Sequence, residues 1–209
     1  MKTPAYWRAA TRELAARDEV MRALVRRCDA YVLGSRGDAF ATLARSIVGQ
    51  QISVKAAQSV WARLGVEVGN MAPHALAAKD VVQLRGCGLS GQKAAYLLDL
   101  AQRFASGALD PARWGTLDDE AVIVELTQVK GIGRWTAEMF LIFHLARPDV
   151  FPVADVGLQR AVSLHYNRGK PVTKAKMARI GAAWAPWRSV ATWYMWRSLD
   201  SAPMAQDRG

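Results

Sequence analysis

The densest run of chemically useful residues in the chain is Lys130-Gly131-Ile132-Gly133-Arg134. Two glycines in three residues permit a tight turn, conformations closed to residues with a Cβ, and close approach of another backbone or a phosphate. Two cations lie within the turn. A helix reads as ending at about Gln128. A second, strongly apolar helix reads from the turn through Phe143 to about Ala146. Where that helix opens, its free N–H groups and positive dipole end form an anion site. The arrangement reads as a helix-hairpin-helix, which grips a nucleic-acid backbone without reading sequence. A Gly-x-Gly turn alone fits an ordinary corner between helices equally well. Asp155 follows Gly133 by 22 residues, in Phe151-Pro152-Val153-Ala154-Asp155-Val156-Gly157. Taken in isolation, this carboxylate reads as the cap of a helix beginning at Val156.

The elements that must position these groups all read as helical. Residues 5–33 carry Leu14, Met21, Leu24 and Val25 at helical spacing, with arginines on the other face. Gly34-Ser35-Arg36-Gly37-Asp38 breaks the pattern and caps a buried helix from Phe40 to Val48. Gly49-Gln50-Gln51-Ile52 interrupts it, and Ser53 caps a helix ending near Gly65. A loop is expected over 66–73 and a short helix from Pro73 to Leu84. Ser90 caps the helix Gln92–Phe104. Lys93 opposes the dipole in its first turn, which points either to a nearby phosphate or to an exposed lysine with no role. Asp118 and Asp119 open the first hairpin helix. Beyond Asp155 a helix runs to about Tyr166, the basic loop Asn167–Pro171 follows, and two more helices close the chain. No strand pattern and no repeat emerges, so the fold reads as all-α.

The totals narrow the function. A chain of 209 residues with 51% hydrophobic content builds a substantial core in one or two small domains. A net charge of +10 favours a polyanionic partner over an acidic small molecule. Cys28 and Cys87 form neither a metal-spaced pair nor a disulfide framework, which points to a reducing interior. No apolar run is long enough for a membrane span, and Met1-Lys2-Thr3-Pro4 leads into no signal-peptide core. A cytoplasmic protein is the expectation.

Four segments in order carry a more specific signal: Ile47–Ser53, Gly88–Ala94, the hairpin, and the Trp184–Asp200 tail. With Asp155 after the hairpin, the sequence resembles the helix-hairpin-helix–Gly/Pro/Asp superfamily of DNA glycosylases, in its 3-methyladenine DNA glycosylase II, or AlkA-like, branch. The resemblance covers roughly residues 38–200. It implies two helical lobes with the active-site cleft between them and no N-terminal β-domain. The central lobe would be 38–148, with the helix-hairpin-helix at 126–145. The second would join 1–37 to 149–209.

The same resemblance implies a monomeric, monofunctional enzyme. It would hydrolyse the N-glycosidic bond of alkylated purines, of the 3-methyladenine and 7-methylguanine type, in double-stranded DNA. The transition state is oxocarbenium-like, so Asp155 is implied as the catalytic carboxylate that stabilises the sugar cation and positions or deprotonates water. Asp149 is the alternative acid and reads as a loop residue. Bifunctional lyases of the superfamily carry lysine where this chain has Trp135, which lacks a nucleophilic amine. Trp135 and Trp196 match the base pocket, where an aromatic face attracts an electron-poor flipped base. Met139 lies one helical turn beyond Trp135, at a position where relatives often carry a polar or aromatic residue. Gln51 matches the side chain that wedges into the duplex, or it is only a helix cap. Lys130, Gly131, Gly133, Arg134 and Thr136 are implied as the DNA grip. No cofactor is required. A Na+ or K+ on the backbone carbonyls of Thr127, Val129 and Ile132 is common in the family. An iron–sulfur cluster is not expected, because no cysteine follows Cys87.

Overall fold

The computed structural model describes residues 3–28 and 37–200, and within them every regular element is a helix. The chain divides into two compact units, Met1–Ser35 with Ala146–Gly209, and Arg36–Leu145. Residues 29–33 of the first expected helix, and Gly34-Ser35-Arg36 of the expected break, lie outside the described residues.

In the first unit, the helical pattern from residue 5 forms two helices rather than one: α1, Trp7–Arg17, and α2, Glu19–Arg27. Asp18 divides them. Its backbone is extended and its side chain accepts a hydrogen bond from the Met21 N–H at 2.9 Å, so it caps the second helix and cannot continue the first. Helices α10 (Val156–Tyr166), α11 (Lys174–Trp184) and α12 (Arg188–Asp200) complete the unit.

The last of these is its centre. Seven consecutive residues, Ser189–Met195, are buried, and α1, α2, α10 and α11 all pack on α12. A helix buried on every side requires such wrapping. Trp7 meets Trp193 edge to face, with centroids 5.2 Å apart. Four of the eight tryptophans, namely Trp7, Trp114, Trp184 and Trp193, are core residues of their respective units. Burial of each large apolar side chain contributes about 1.5–3 kcal/mol.

The second unit holds α3 (Ala39–Gly49), α4 (Val54–Val68), α5 (Pro73–Ala77), α6 (Val81–Gly86), α7 (Gly91–Ala105), α8 (Asp119–Thr127) and α9 (Arg134–Phe143). Two spans differ from the sequence reading. Helix α4 passes through Gly65 to Val68, because the stripe Val60-Leu64-Val68 continues burying at i, i+4 spacing. Gly69, at φ +75°, ends it. The expected helix from Pro73 to Leu84 is split by Asp80, which forms a capping box with Gln83 and starts α6. The second hairpin helix also stops earlier than about Ala146. Its last residue is Phe143, and Ala146 takes a left-handed φ of +52°. Ser53, Ser90 and Asp118 cap α4, α7 and α8. Helix α7 packs on α3, α5 and α6, while α8 and α9 form the hairpin pair.

Candidate functional site

Asp155 occupies the N-cap of α10. Its Oδ1 accepts a hydrogen bond from the Leu158 backbone N–H at 2.6 Å and another from the Trp196 indole N–H at 2.8 Å. The residue is 9% exposed. The cap reading of this residue therefore holds. Gly157 makes room for it. A Cβ there would stand 3.2 Å from Asp155 Oδ1 and 3.3 Å from Trp196 Cδ1. Trp196 thus orients the acid, a relation that aromatic content alone could not signal.

Asp149 is engaged elsewhere. Arg188 spans both its oxygens at 2.8 Å, and the Arg188 backbone N–H adds a bond of 3.1 Å. Next to it, the Ser189 hydroxyl accepts from the Val150 N–H, and the Ser189 N–H donates to the Pro148 carbonyl. These bonds fasten the segment entering the site to the start of α12.

In the other unit the hairpin has two unlike glycines. Gly131 has φ +84°, and a Cβ there would overlap the Tyr96 ring. Glycine is therefore required twice over. Gly133 has φ −88° and ψ 172°, an extended conformation open to any residue, so the expectation that both glycines serve special conformations holds only for Gly131. Among the described residues nothing lies within 4 Å of where a Cβ on Gly133 would stand, and no side chain caps α9. Gly133, Arg134 and Trp135 at the start of this helix are exposed.

The charges flanking the hairpin also divide. Lys130 is exposed. Arg134 is held by Glu120 through two bonds of 2.8 and 2.7 Å and by Glu138 at 3.2 Å. The bond to Glu120 raises the Arg134 pKa and lowers that of Glu120. Arg134 is thus an internally neutralised cation. Thr136 and Met139 are partly exposed, and the Trp135 ring is half exposed. Gln51 is exposed in a left-handed conformation with φ +56°. The Thr127 hydroxyl turns back onto the Ile123 and Val124 carbonyls, and the Val129 carbonyl accepts the Ile132 N–H at 3.1 Å.

Three supports of the hairpin escaped sequence reasoning. The Gln50 side-chain amide donates to the Gly131 carbonyl at 2.8 Å. Asp99 accepts the Lys130 backbone N–H at 2.9 Å. Tyr96 lies beneath Gly131. Lys93, singled out for opposing its helix dipole, donates to the carbonyls of Val48 and Gln50 at 2.8 and 2.5 Å. It thus serves carbonyls at the end of α3 rather than a phosphate. Burial lowers its pKa below the ordinary lysine value.

Residues 44–186 match the family model described as HhH-GPD superfamily base excision DNA repair protein. The chain belongs to that superfamily. The similarities place it in the AlkA-like branch, among the DNA-3-methyladenine glycosylases. It resembles the DNA-3-methyladenine glycosidase of Bacillus halodurans with a TM-score of 0.87 and 34% identity, over 96% of this chain and 94% of that one. It resembles Schizosaccharomyces pombe Mag1, a 3-methyladenine DNA glycosylase solved with abasic DNA, with a TM-score of 0.79 and 31% identity, over 93% and 98%. It is 31% identical over 170 residues to Escherichia coli DNA-3-methyladenine glycosylase 2, spanning 76% of this chain and 57% of that protein. Of one Bacillus subtilis relative it spans 45% of the length.

Proposed function

We propose that the protein is a monofunctional DNA glycosylase of base excision repair that removes alkylated purines, of the 3-methyladenine and 7-methylguanine type, by hydrolysis. The observation that carries this reading is the Asp155 carboxylate, fixed through Oδ1 by Leu158 and Trp196 in a chain of this superfamily. As the bond between C1′ and the base nitrogen breaks, positive charge develops on the sugar, and a fixed carboxylate opposes it. Water then bonds to C1′ and loses a proton as the base departs. Trp135 offers the flipped base an aromatic face, and Met139 adds a polarisable thioether one turn further on. Trp196 serves chiefly to aim the acid.

The DNA grip in this reading is the open start of α9 at Gly133, with Gly131, Thr136 and the exposed Lys130 around it. Arg134 contributes least, since Glu120 already neutralises it. Gln51 enters the duplex as the wedge. A Na+ or K+ would be held by the main-chain oxygens of Thr127, Val129 and Ile132. Two cysteines in the whole chain cannot supply a four-thiolate iron–sulfur cluster. Among the described residues no helix is long and apolar enough to cross a membrane. A cytoplasmic monomer acting on double-stranded DNA completes the proposal.

The test is release of free bases from methylated DNA by the parent and by Asp155→Asn. Asparagine keeps an oxygen for Leu158 and Trp196 and caps a helix as well as aspartate does. Folding and binding to an abasic-site analogue should survive, while 3-methyladenine release falls by roughly two to four orders of magnitude. Lesions with intrinsically labile glycosidic bonds, such as 7-methylguanine, should lose less than those with stable bonds. The same substitution at Asp149 should leave the rate nearly unchanged. If the parent releases no methylpurine, a noncatalytic helix-hairpin-helix binding module is the better reading.

A further inference from the structure

One face of α7 reaches both parts of the second unit that the proposed function assigns to DNA. Lys93, Tyr96 and Asp99 stand three residues apart, on adjoining turns of the helix. Asp99 and Tyr96 serve the hairpin, through the Lys130 N–H and the underside of Gly131. Lys93 serves the turn that joins α3 to α4. Its Nζ donates to the carbonyls of Val48 and Gln50, three residues and one residue upstream of Gln51.

That turn has two features needing support. The last carbonyls of α3 have no donors within the helix, and a cation is favoured at that end. Gln51, at φ +56°, holds a conformation that residues with a Cβ adopt only when their surroundings enforce it. Fixing the carbonyl of Gln50 fixes the peptide plane that leads directly into Gln51. Gln50 then extends the chain of contacts, because its side-chain amide donates to the Gly131 carbonyl at 2.8 Å.

We propose that Lys93 is a positioning residue for Gln51. Its ammonium fixes the peptide entering the wedge residue, and Gln50 ties the same turn to the hairpin. The wedge and the phosphate grip are thereby held in one register. This inference rests on the reading of Gln51 as the wedge.

The test uses full-length protein and a duplex carrying 2-aminopurine beside an abasic-site analogue, whose fluorescence rises as bases unstack. Gln51→Ala, Lys93→Met and the double variant are compared at saturating protein, together with affinity for undamaged duplex and single-turnover release of 3-methyladenine. Lys93→Met keeps the stem and removes the charge. Its fluorescence response should fall to that of Gln51→Ala, and the double variant should fall no further. Single-turnover release should drop roughly tenfold or more, while affinity for undamaged duplex stays near that of the parent. Lys93→Arg, which keeps donors and charge, should restore much of the response. Should Lys93→Met fail to fold, Lys93→Gln is read in the same way.

A normal response in the lysine variant beside a lost response in Gln51→Ala overturns the inference and leaves the wedge standing. Additive losses in the double variant also overturn it, since Lys93 would then act apart from Gln51. A normal response in Gln51→Ala overturns the wedge reading itself.

Discussion

The indole N–H of Trp196 ends on Oδ1 of Asp155 at 2.8 Å, on the oxygen that also receives the Leu158 N–H from the first turn of α10. The two residues are 41 positions apart, and the bond joins the start of one helix to the last helix described. In the proposed reaction it fixes the direction in which the carboxylate faces the sugar.

Trp196→Phe tests that relation. Phenylalanine fills much of the ring volume but cannot donate. The cap bond from Leu158 remains, so the fold and abasic-DNA binding should persist. Single-turnover excision should fall by roughly ten- to a hundredfold, the scale expected for a reacting group shifted by a fraction of an ångström to one ångström. A fall in substrate affinity with no change in the rate at saturation would instead assign Trp196 to base stacking alone.

The two hairpin glycines should behave in opposite ways. Gly131→Ala meets both a left-handed φ and the Tyr96 ring, so stability should fall by at least about 1–3 kcal/mol in a denaturant titration. Gly133→Asp meets no neighbour and places a good capping residue before α9, so stability should change by about a few tenths of a kcal/mol. Its affinity for duplex DNA should nonetheless drop regardless of lesion, because an acid would face the phosphate. If Gly133→Asp binds duplex like the parent at moderate salt, the hairpin is not the grip. Parent affinity should weaken steeply as salt rises.

Incubation with lesion DNA and borohydride should trap no covalent complex. Trp135 has no amine with which to form a Schiff base, and strands should break only after alkali or an added nuclease. A stable adduct would redirect attention to a lysine, with the exposed Lys130 the first to replace.

One half-buried histidine, His165, should govern part of the acid sensitivity. The Ser198 hydroxyl donates to the Met195 carbonyl at 2.6 Å, so His165, 2.9 Å from that oxygen, donates to it through Nε2. Burial first, and then the Arg27 charge, lower the His165 pKa. The unfolded chain therefore takes up this proton before the folded one does. Its contribution is fully present above the unfolded value of about 6.5 and is lost as pH falls toward the folded value. Thermal melts at about pH 7.5 and about pH 5 should show a smaller acid-induced drop for His165→Gln than for the parent. An equal drop in both would clear His165 of this role.

The helices were legible where the signals are local. Ser53, Ser90, Asp118 and Asp155 each precede a helix and each caps it in the structure. Errors arose where two local signals compete. Gly65 looks like a stop, yet the burial stripe through Val60, Leu64 and Val68 outweighs it. Asp18 and Asp80 sit inside apolar patterns that look continuous, but their side chains bond the backbone and break them. The long-range contacts were not legible at all. Nothing local to Gln50 or Asp99 announces a bond to a backbone 81 or 31 residues away. Lys93 was conspicuous because it stood against its own helix dipole, although its partner proved to be the end of another helix.

Capping has a further consequence for Asp155. A free aspartate samples several rotamers, and ordering it during a reaction adds to the barrier. Here Leu158 and Trp196 select one rotamer as the chain folds. The conformational entropy of the side chain is surrendered at folding, alongside that of the helix it starts. In the proposed reaction the carboxylate is thus preorganised before DNA arrives, and turnover would not have to freeze it again.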